Sequence, residues 1–459
     1  MFKDFDGRNN GHGQILTDLR SYLGLLKKTG DLKTIKRSVS TKYEIAAVTS
    51  KVDGSHALLF EKINGKKFRL VSNLVGTRAR FAQAVGSQEL NIHEKVIHAI
   101  EHSQKPKKIS KGQFMENHSS DISILPIVSH FEKEPGPFIT SSIIYSKNPE
   151  KGTQNSSFHR LMPLDKKHFS VRMVEGRDLH RAFIHAKKQN KDLKVAITIG
   201  VHPAISIAGA YQADWGKDEL DIANSILGGK LRLVECPYSR MFVPSGAEIV
   251  MEGRILRNKT HKEWMVEMLR TYDFARLQPV FELESLYYRN NPIFHDVLSG
   301  YSEHRLLMGM PIEAKLNRNL KKAFPQTKQI SMTNGGCNWL HAVVQIKKRK
   351  ETDVKHIIKK TFETHRSLKM VTIVDDDINP NDAVSVEYAI ATRFQADRDL
   401  LIIKNVRGSS LDPSSDQKRL KTAKLGIDAT KSLSKRKEGF EIAKIPKQNK
   451  IFLKDYLKS

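Results

Sequence analysis

The chain has 459 residues, 39% of them hydrophobic and 28% charged, with 77 basic against 50 acidic side chains for a formal charge of +27. That length exceeds what one hydrophobic core usually serves, so two or three domains are expected, and the composition excludes wholesale disorder. Only Cys236 and Cys337 occur, which excludes a disulfide framework or a four-cysteine zinc site, and no stretch approaches the roughly 18 apolar residues of a membrane span.

In chain order, the opening MFKDFDGRNNGHG lacks an apolar secretory core, so an untargeted cytoplasmic protein is expected. Up to about Lys111, helical DLRSYLGLLKKTG and strand-like YEIAAVTSKVDGSHALLFEKI suggest a small α/β unit. Lys105 to Asp121 is polar and without apolar period, which reads as a linker. The β-like runs FITSSIIYS, HFSVRMVEG, LKVAITIGVHP, LRLVECPY and AEIVMEGRIL follow, interrupted by one clear helix from Asp218 to Leu227, and predict a barrel or an antiparallel sheet. From Pro311 the helix PIEAKLNRNLKKAF, the strand HAVVQIKK, the helix DVKHIIKKTFETHR, the strand KMVTIVDDD and the helix AVSVEYAIATRF carry a βαβ rhythm and predict a second layer with a parallel sheet. No repeat of 20 to 50 residues interrupts this order, and the lysine-rich C-terminus reads as a mobile or partner-covering tail.

The positive charge is scattered over KKTGDLKTIKR from Lys27, KPKK from Lys105, KKQNKDLK from Lys187, KKRK from Lys347 and the tail after Lys418. Scattered lysines keep a surface solvated, whereas a nucleic-acid groove concentrates its charge. No RNA-recognition aromatic motif, KH-type loop or helix-turn-helix accompanies them, so nucleic acid is not an expected partner. Small anionic substrates are.

Four polar clusters sit at strand ends, where function concentrates. The first gathers Asn155, Ser156, Ser157, His159 and Arg160, an inventory suited to a phosphate, a hard cation and a carboxylate held close together, or to a plain polar hairpin. The second holds Arg172, Glu175, Arg177, Asp178 and His180. In the third, Glu248 lies in an apolar strand, where a buried carboxylate needs a metal or an arginine unless the strand is an exposed edge. The fourth sets Glu303, His304 and Arg305 before an apolar run, where Glu303 also suits the start of a helix. Asp375 to Asp377 end a strand, an arrangement that more often caps a helix or pairs with arginine than binds an ion. No Walker or Rossmann glycine spacing, HExxH motif or serine-hydrolase elbow is present.

Six ordered segments, ITSSIIYSKNPEKGTQNSSFHR, VAITIGVHPA, VPSGAEIVMEG, GYSEHRLLMG, KMVTIVDDDINPNDAVSVEYAIATRFQADRDLLI and KLGIDAT, together resemble the UbiD family of reversible decarboxylases from about Phe138 to Thr430. The resemblance implies an α/β (α+β) protein with an N-terminal α/β domain (1–115), a central split β-barrel that holds a flavin (116–312) and a C-terminal α/β domain (313–459) that makes a homodimer or larger homo-oligomer. It implies prenylated FMN, supplied by a flavin prenyltransferase and tied through its phosphate to a divalent metal, usually manganese, with potassium nearby. By resemblance Asn155 and Glu248 are metal ligands, with Asp178 or His180 as a third. Phe158, His159, Arg160, Arg172, Met173, Val174, Arg177 and Lys424 contact the cofactor. Arg160 is the catalytic arginine and Glu303 the acidic proton donor, with Asp296 a weaker candidate for a second acid beside Arg160.

Within the family, the quinone-pathway branch that decarboxylates polyprenyl-4-hydroxybenzoate carries a proline-rich loop before its acid, and GYSEHRLL has none. The chain is more similar to archaeal members that convert trans-anhydromevalonate 5-phosphate to isopentenyl phosphate and CO2 in a modified mevalonate pathway, and the expected substrate is that phosphorylated, α,β-unsaturated acid. The contrary reading is a degenerate member that binds anions or RNA, which would have lost Arg160, Glu248 or Glu303. All three are present.

Overall fold

The computed structural model describes residues 17–211 and 213–434 and parts of the tail between 437 and 456. The opening stretch read for a secretory core lies outside the described residues, as does part of the basic tail.

The chain enters through α1 (Leu19–Lys28), which starts at a reciprocal cap: Asp18 Oδ1 accepts the Ser21 N–H at 2.9 Å while the Asp18 N–H donates to Ser21 Oγ at 3.3 Å. Leu19, Tyr22, Leu23 and Leu26 fall on one helical face and are buried. There follow β1 (Leu32–Ile35), α2 (Glu44–Lys51), β2 (Ala57–Phe60), β3 (Arg69–Ser72), α3 (Arg78–Val85) and α4 (Ile92–Glu101). The segment YEIAAVTSKVDGSHALLFEKI thus divides into helix α2 and strand β2 rather than continuing as strand. Tyr43 turns into α2 with a left-handed φ of 66° and no side-chain cap, so the helix lacks the usual start signal.

The middle of the chain supplies β4 (Lys107–Ile109), β5 (Asn117–Ser119), β6 (Ile143–Lys147), β7 (Gln154–Phe158), β8 (Leu161–Pro163), β9 (His168–Val171), α5 (Asp178–Lys188), β10 (Leu193–Ile199), α6 (Pro203–Ala210), α7 (Glu219–Ile226), β11 (Arg232–Glu235), β12 (Phe242–Pro244), β13 (Ile249–Glu263), β14 (Arg276–Tyr288) and β15 (Ile293–Asp296). The main sheet runs β7-β6-β10-β13-β14-β9-β8, antiparallel throughout, with β5 added on β14. Two smaller sheets, β1-β2-β3-β15 and β12-β11-β4, flank it. The presumed linker therefore contains two short strands, and α5 and α6 join the one helix that was expected.

Alternation decides the packing of the main sheet. Ile143, Tyr145, Ala196 and Val250 face a core shared with α1, α3, α4, α6 and α7, while Ile144, Val195, Ile197, Ile249 and Met251 face a second core with Phe60, Phe169 and Phe281. Apolar residues on both faces explain why these strands read as unbroken hydrophobic runs.

The long α8 (Ser302–Ala323) leads to β16 (Thr327–Met332), β17 (His341–Ile346), α9 (Asp353–Thr364), β18 (Met370–Asp375), α10 (Ala383–Arg393), β19 (Leu400–Arg407) and β20 (Lys421–Ala429). The sheet order is β16-β17-β18-β20-β19, with β17, β18 and β20 parallel and both edges antiparallel. The βαβ rhythm lies where it was expected, but α8 begins nine residues before Pro311, which it accommodates inside the helix. Glu313 on α8, fully buried, bonds Arg78 of α3 at 2.6 Å, His93 of α4 at 2.6 Å and the Met332 N–H of β16 at 2.7 Å, tying the N-terminal helices and the C-terminal sheet to one helix. Although burial pushes its carboxyl up, Arg78 and His93 bring it down to about 2. Asp375 and Asp377 clasp Arg393, at 2.6 and 2.9 Å, as arginine partners. Among the described residues no helix is long and apolar enough to cross a membrane.

Candidate active site

Arg160 sits in the tight connection between β7 and β8. The His159 N–H donates to Ser142 O at 3.2 Å, the Ser142 hydroxyl donates back to His159 O, and the Arg172 N–H donates to Arg160 O at 3.1 Å, so the peptide on each side of Arg160 is held. Its guanidinium is surrounded by acids. Nε and Nη2 grip Glu263 at 3.2 and 3.0 Å, Nη1 donates to Glu267 at 2.6 Å, and Asp273 Oδ2 stands 3.6 Å from Nη2. This is a two-pronged clasp by one carboxylate with a single contact from a second. Burial would lower the arginine, but Glu267, Glu263 and Asp273 hold it above its usual value.

Both glutamates come from the end of the longest hairpin. The β13–β14 register runs from Ile249 opposite Tyr288 to Glu263 opposite Arg276, and the chain then closes a turn in which the Glu267 N–H donates to Thr271 O at 2.9 Å and the Arg270 N–H donates to Glu267 O at 2.8 Å. Trp264 Nε1 bonds Lys133 O at 2.6 Å, and Glu134 accepts the Val266 N–H at 3.1 Å, which pins the turn to the rest of the unit. Glu263 has 1% of its side chain exposed and Glu267 23%. The first therefore anchors the guanidinium from within, and the second offers an acid to anything that enters.

The second cluster surrounds Asn155 on β7. Its amide nitrogen donates to Glu219 at 3.1 and 3.2 Å and lies 3.4 Å from Asp178 Oδ2, and the Ser156 N–H donates to Glu219 Oε2 at 2.7 Å. Glu219 is raised well above the usual carboxylate range, first by burial and further by Asp218 and Asp178. Asp218, which caps α7, is pushed up to about 7 by burial, and Asp178 is raised by burial as well. His159 links the clusters: Nδ1 faces Arg172 O at 2.8 Å and must donate, so Nε2 accepts from Ser157 Oγ at 2.9 Å. Burial pushes it down to about 4, so it is neutral.

Three expectations are corrected here. Glu248 is not beside Asn155: its fully buried carboxylate takes Arg20 Nε and Nη2 at 2.8 and 2.9 Å, Arg289 Nη1 at 3.4 Å and the Ile293 N–H at 3.1 Å, so it is the arginine-paired carboxylate that an apolar strand demands, with its oxygens already used. Glu303 is not beside Arg160: Oε1 meets His295 Nε2 at 3.2 Å and the Val75 N–H at 3.3 Å, because the first turn of α8 aims it at β15 and the N-terminal unit. Asp296 likewise pairs with His130, at 2.9 Å, instead of Arg160.

Of the remaining candidates, Arg172 lies against the site, with Nη1 on Met173 O at 2.7 Å and Nη2 3.9 Å from Asp273. The Met173 N–H donates to Gln278 Oε1 at 2.9 Å, Phe158 is half-buried, and Val174 and Arg177 are exposed at the entry to α5. His180 accepts the Gly176 N–H at 3.3 Å and, two residues along α5, points away from the face that Asp178 presents to Asn155. Lys424 is on β20, where Nζ donates to Arg366 O at 2.7 Å over the Phe362 ring, and burial lowers it to about 8.

Glu219, Glu263 and Glu267 were not singled out from the sequence. A signal for Glu219 existed: in a helix starting at Asp218 it shares the face of Ile222, Ala223 and Ile226, all buried, which is the wrong face for a solvated acid. For KEWMVEM the only cue was two acids framing three apolar residues.

Three UbiD-family models match: the 3-octaprenyl-4-hydroxybenzoate carboxy-lyase N-terminal domain over residues 23–100, its Rift-related domain over 101–302 and its C-terminal domain over 305–429. The chain is 41% identical to anhydromevalonate phosphate decarboxylase of Methanocaldococcus jannaschii across 88% of this chain and 95% of that one. Among solved structures it is similar to the UbiD-class enzyme HmfF of Pelotomaculum thermopropionicum in complex with FMN, with TM-score 0.93, 36% identity and coverage of 96% and 100%. An evolved dimeric form of HmfF in complex with prFMN superposes with TM-score 0.89 at 34% identity, covering 96% of this chain and 100% of that one. The chain belongs to the UbiD family of decarboxylases.

Proposed function

We propose that this protein decarboxylates trans-anhydromevalonate 5-phosphate to isopentenyl phosphate and CO2 with prenylated FMN, in the cytosol and as a homo-oligomer served by a flavin prenyltransferase. The observation that carries the reading is Arg160 gripped by a buried Glu263 and presented together with a reachable Glu267. The archaeal relative supports the substrate, and the HmfF complexes support the flavin and an assembly of copies.

The residues fit a divalent cation and a flavin phosphate. Among the described residues no three His, Cys, Asp or Glu side chains form a metal group, but Glu219, Asp178 and the Asn155 amide make a set of hard oxygen donors once the amide turns its oxygen inward. Glu219 is buried with its charge opposed by neighbouring acids, and none of the described cations forms an ion pair with it, which is the environment a cation relieves. Asn155, Glu219 and Asp178 would hold manganese. Phe158, His159, Arg172, Met173, Val174 and Arg177 would line the flavin, with Lys424 reaching the phosphate from the C-terminal unit. The potassium of the family resemblance has no donor set of its own in this reading.

When bound, prenylated FMN supplies the electron sink for the pair released as CO2 leaves. Arg160 orients the substrate carboxylate with the N–H groups that Glu263 and Glu267 leave free. The bond to the carboxylate breaks, and Glu267 relays a proton taken from water to the carbon that lost CO2, returning as the carboxylate paired with Arg160. Glu263 keeps the guanidinium from rotating. The holo-enzyme, co-expressed with a flavin prenyltransferase, should release CO2 from trans-anhydromevalonate 5-phosphate and not from polyprenyl-4-hydroxybenzoate; CO2 from aromatic acids alone, or a protein that takes up no flavin, would overturn the reading.

A further inference from the structure

Building on that reading, we infer that Arg270 and Arg305 form the subsite for the substrate's phosphate and so decide that a phosphorylated acid is preferred. The two guanidinium groups belong to elements that meet beside Glu267. Arg270 closes the turn whose carbonyl, Glu267 O, accepts its N–H at 2.8 Å, and its guanidinium lies 4.8 Å over the Tyr301 ring. Arg305, in the first turn of α8, donates from Nε to Met268 O at 3.3 Å. The same four-residue turn therefore bears the acid at its first position, holds Arg305 through the carbonyl of its second and carries Arg270 at its fourth.

Among the described residues neither arginine has a carboxylate within 4.0 Å, whereas Arg160, Arg172 and Arg276 at the same site each meet Asp273. Burial lowers Arg305 and the nearby Arg270 lowers it further, while the Asp53 carboxylate, which accepts the Ser302 N–H at 2.9 Å, opposes the shift only from beyond ion-pair distance. A structural pair would be expected to have an acid; a pair awaiting a dianion would not.

The geometry is held rigidly. Gly300 has φ +74°, and a Cβ there would lie 2.4 Å from Arg270 Cγ and 3.0 Å from Glu267 O, so glycine lets α8 close onto the turn. Arg270 is exposed, and Arg305 and Glu267 are half-buried, so the pair is within reach of a ligand arriving from solvent. A β-turn keeps its first and last Cα within about 7 Å. That spacing suits a substrate whose carboxyl end meets Arg160 and Glu267 while its phosphate end, a short carbon chain away, meets the arginine pair.

The test compares kcat/KM for trans-anhydromevalonate 5-phosphate with that for unphosphorylated trans-anhydromevalonate, using wild type, Arg270→Ala, Arg305→Ala and Arg305→Lys at equal flavin occupancy. Each alanine variant should lower the phosphorylated-to-unphosphorylated ratio by about 10- to 100-fold, through KM more than kcat, and Arg305→Lys should recover part of it. An unchanged ratio, whether both rates fall or neither does, overturns the inference and leaves the decarboxylase reading standing. A wild type that prefers the unphosphorylated acid or acts only on aromatic acids overturns both.

Discussion

Glu219 and Glu248 are both buried glutamates, 3% and 0% exposed, one in the first turn of α7 and one just before β13, and they have opposite surroundings. Glu248 is matched by two guanidinium groups and a backbone N–H, so its charge is met within the chain. Glu219 is met by an amide and a backbone N–H while Asp218 and Asp178 oppose it. A buried carboxylate in a strand or helix therefore announces that a partner is required, and only the inventory around it says whether that partner is already in the chain or comes from outside.

The comparison breaks most visibly through the arginine it serves. Arg160→Ala should leave three acids facing one another and lower turnover by about 1000-fold or more, measured as CO2 release at equal flavin content; retention of a tenth of the rate would remove Arg160 from the chemistry. Next in size is the clamp. Glu248→Ala leaves Arg20 without its carboxylate and Arg289 with Asp18 alone, and should cost about 3 kcal/mol in chemical denaturation while manganese stays bound. Loss of manganese with unaltered stability would reverse the assignments of the two glutamates. Glu219→Ala should do the converse, weakening manganese by at least about 10- to 100-fold and releasing flavin with it, with stability measured metal-free little changed. Undiminished metal content in that variant would refute the site.

The smallest effect is one of pH. His202 packs against Tyr22 next to the Glu248 clamp, and burial pushes it down to about 4; His341 in the C-terminal sheet is lowered to about 4 as well. Because the unfolded chain binds these protons near pH 6.5 and the folded chain only near 4, the stability they allow is full above about 6.5 and lost as pH falls toward 4. Between pH 7 and 5 each should cost about 1 to 2 kcal/mol. Thermal unfolding of His202→Asn across that range should show a shallower slope than wild type, and an identical slope would show that His202 does not titrate on unfolding.

The sequence made the large periodicities legible. The C-terminal βαβ order follows from runs such as HAVVQI and MVTIVD whose two faces are both covered, and the main sheet from runs such as VAITI for the same reason. Residues 44–51 were misread because β-branched residues and an uncapped left-handed entry hide an eight-residue helix, and β4 and β5 because three-residue strands exist only through their partners, β11 and β14. At the site, Asn155 and Arg160 were legible because they crowd one short segment. Glu263 and Glu267 were not, since what makes them functional is the long β13–β14 register that returns them to Arg160 from about a hundred residues away. Glu303 was taken in their place from the resemblance of GYSEHRLLMG to the family, while its position at the start of α8 suits an acid for local reasons alone.

The central claim is that the proton donor belongs to the Arg160 cluster and not to the start of α8. Single-turnover CO2 release from trans-anhydromevalonate 5-phosphate by flavin-loaded Glu267→Gln and Glu303→Gln tests it directly. The account predicts a loss of about 1000-fold or more in Glu267→Gln with flavin still bound, and a loss below about tenfold in Glu303→Gln. A silent Glu303→Gln beside an active Glu267→Gln would contradict it.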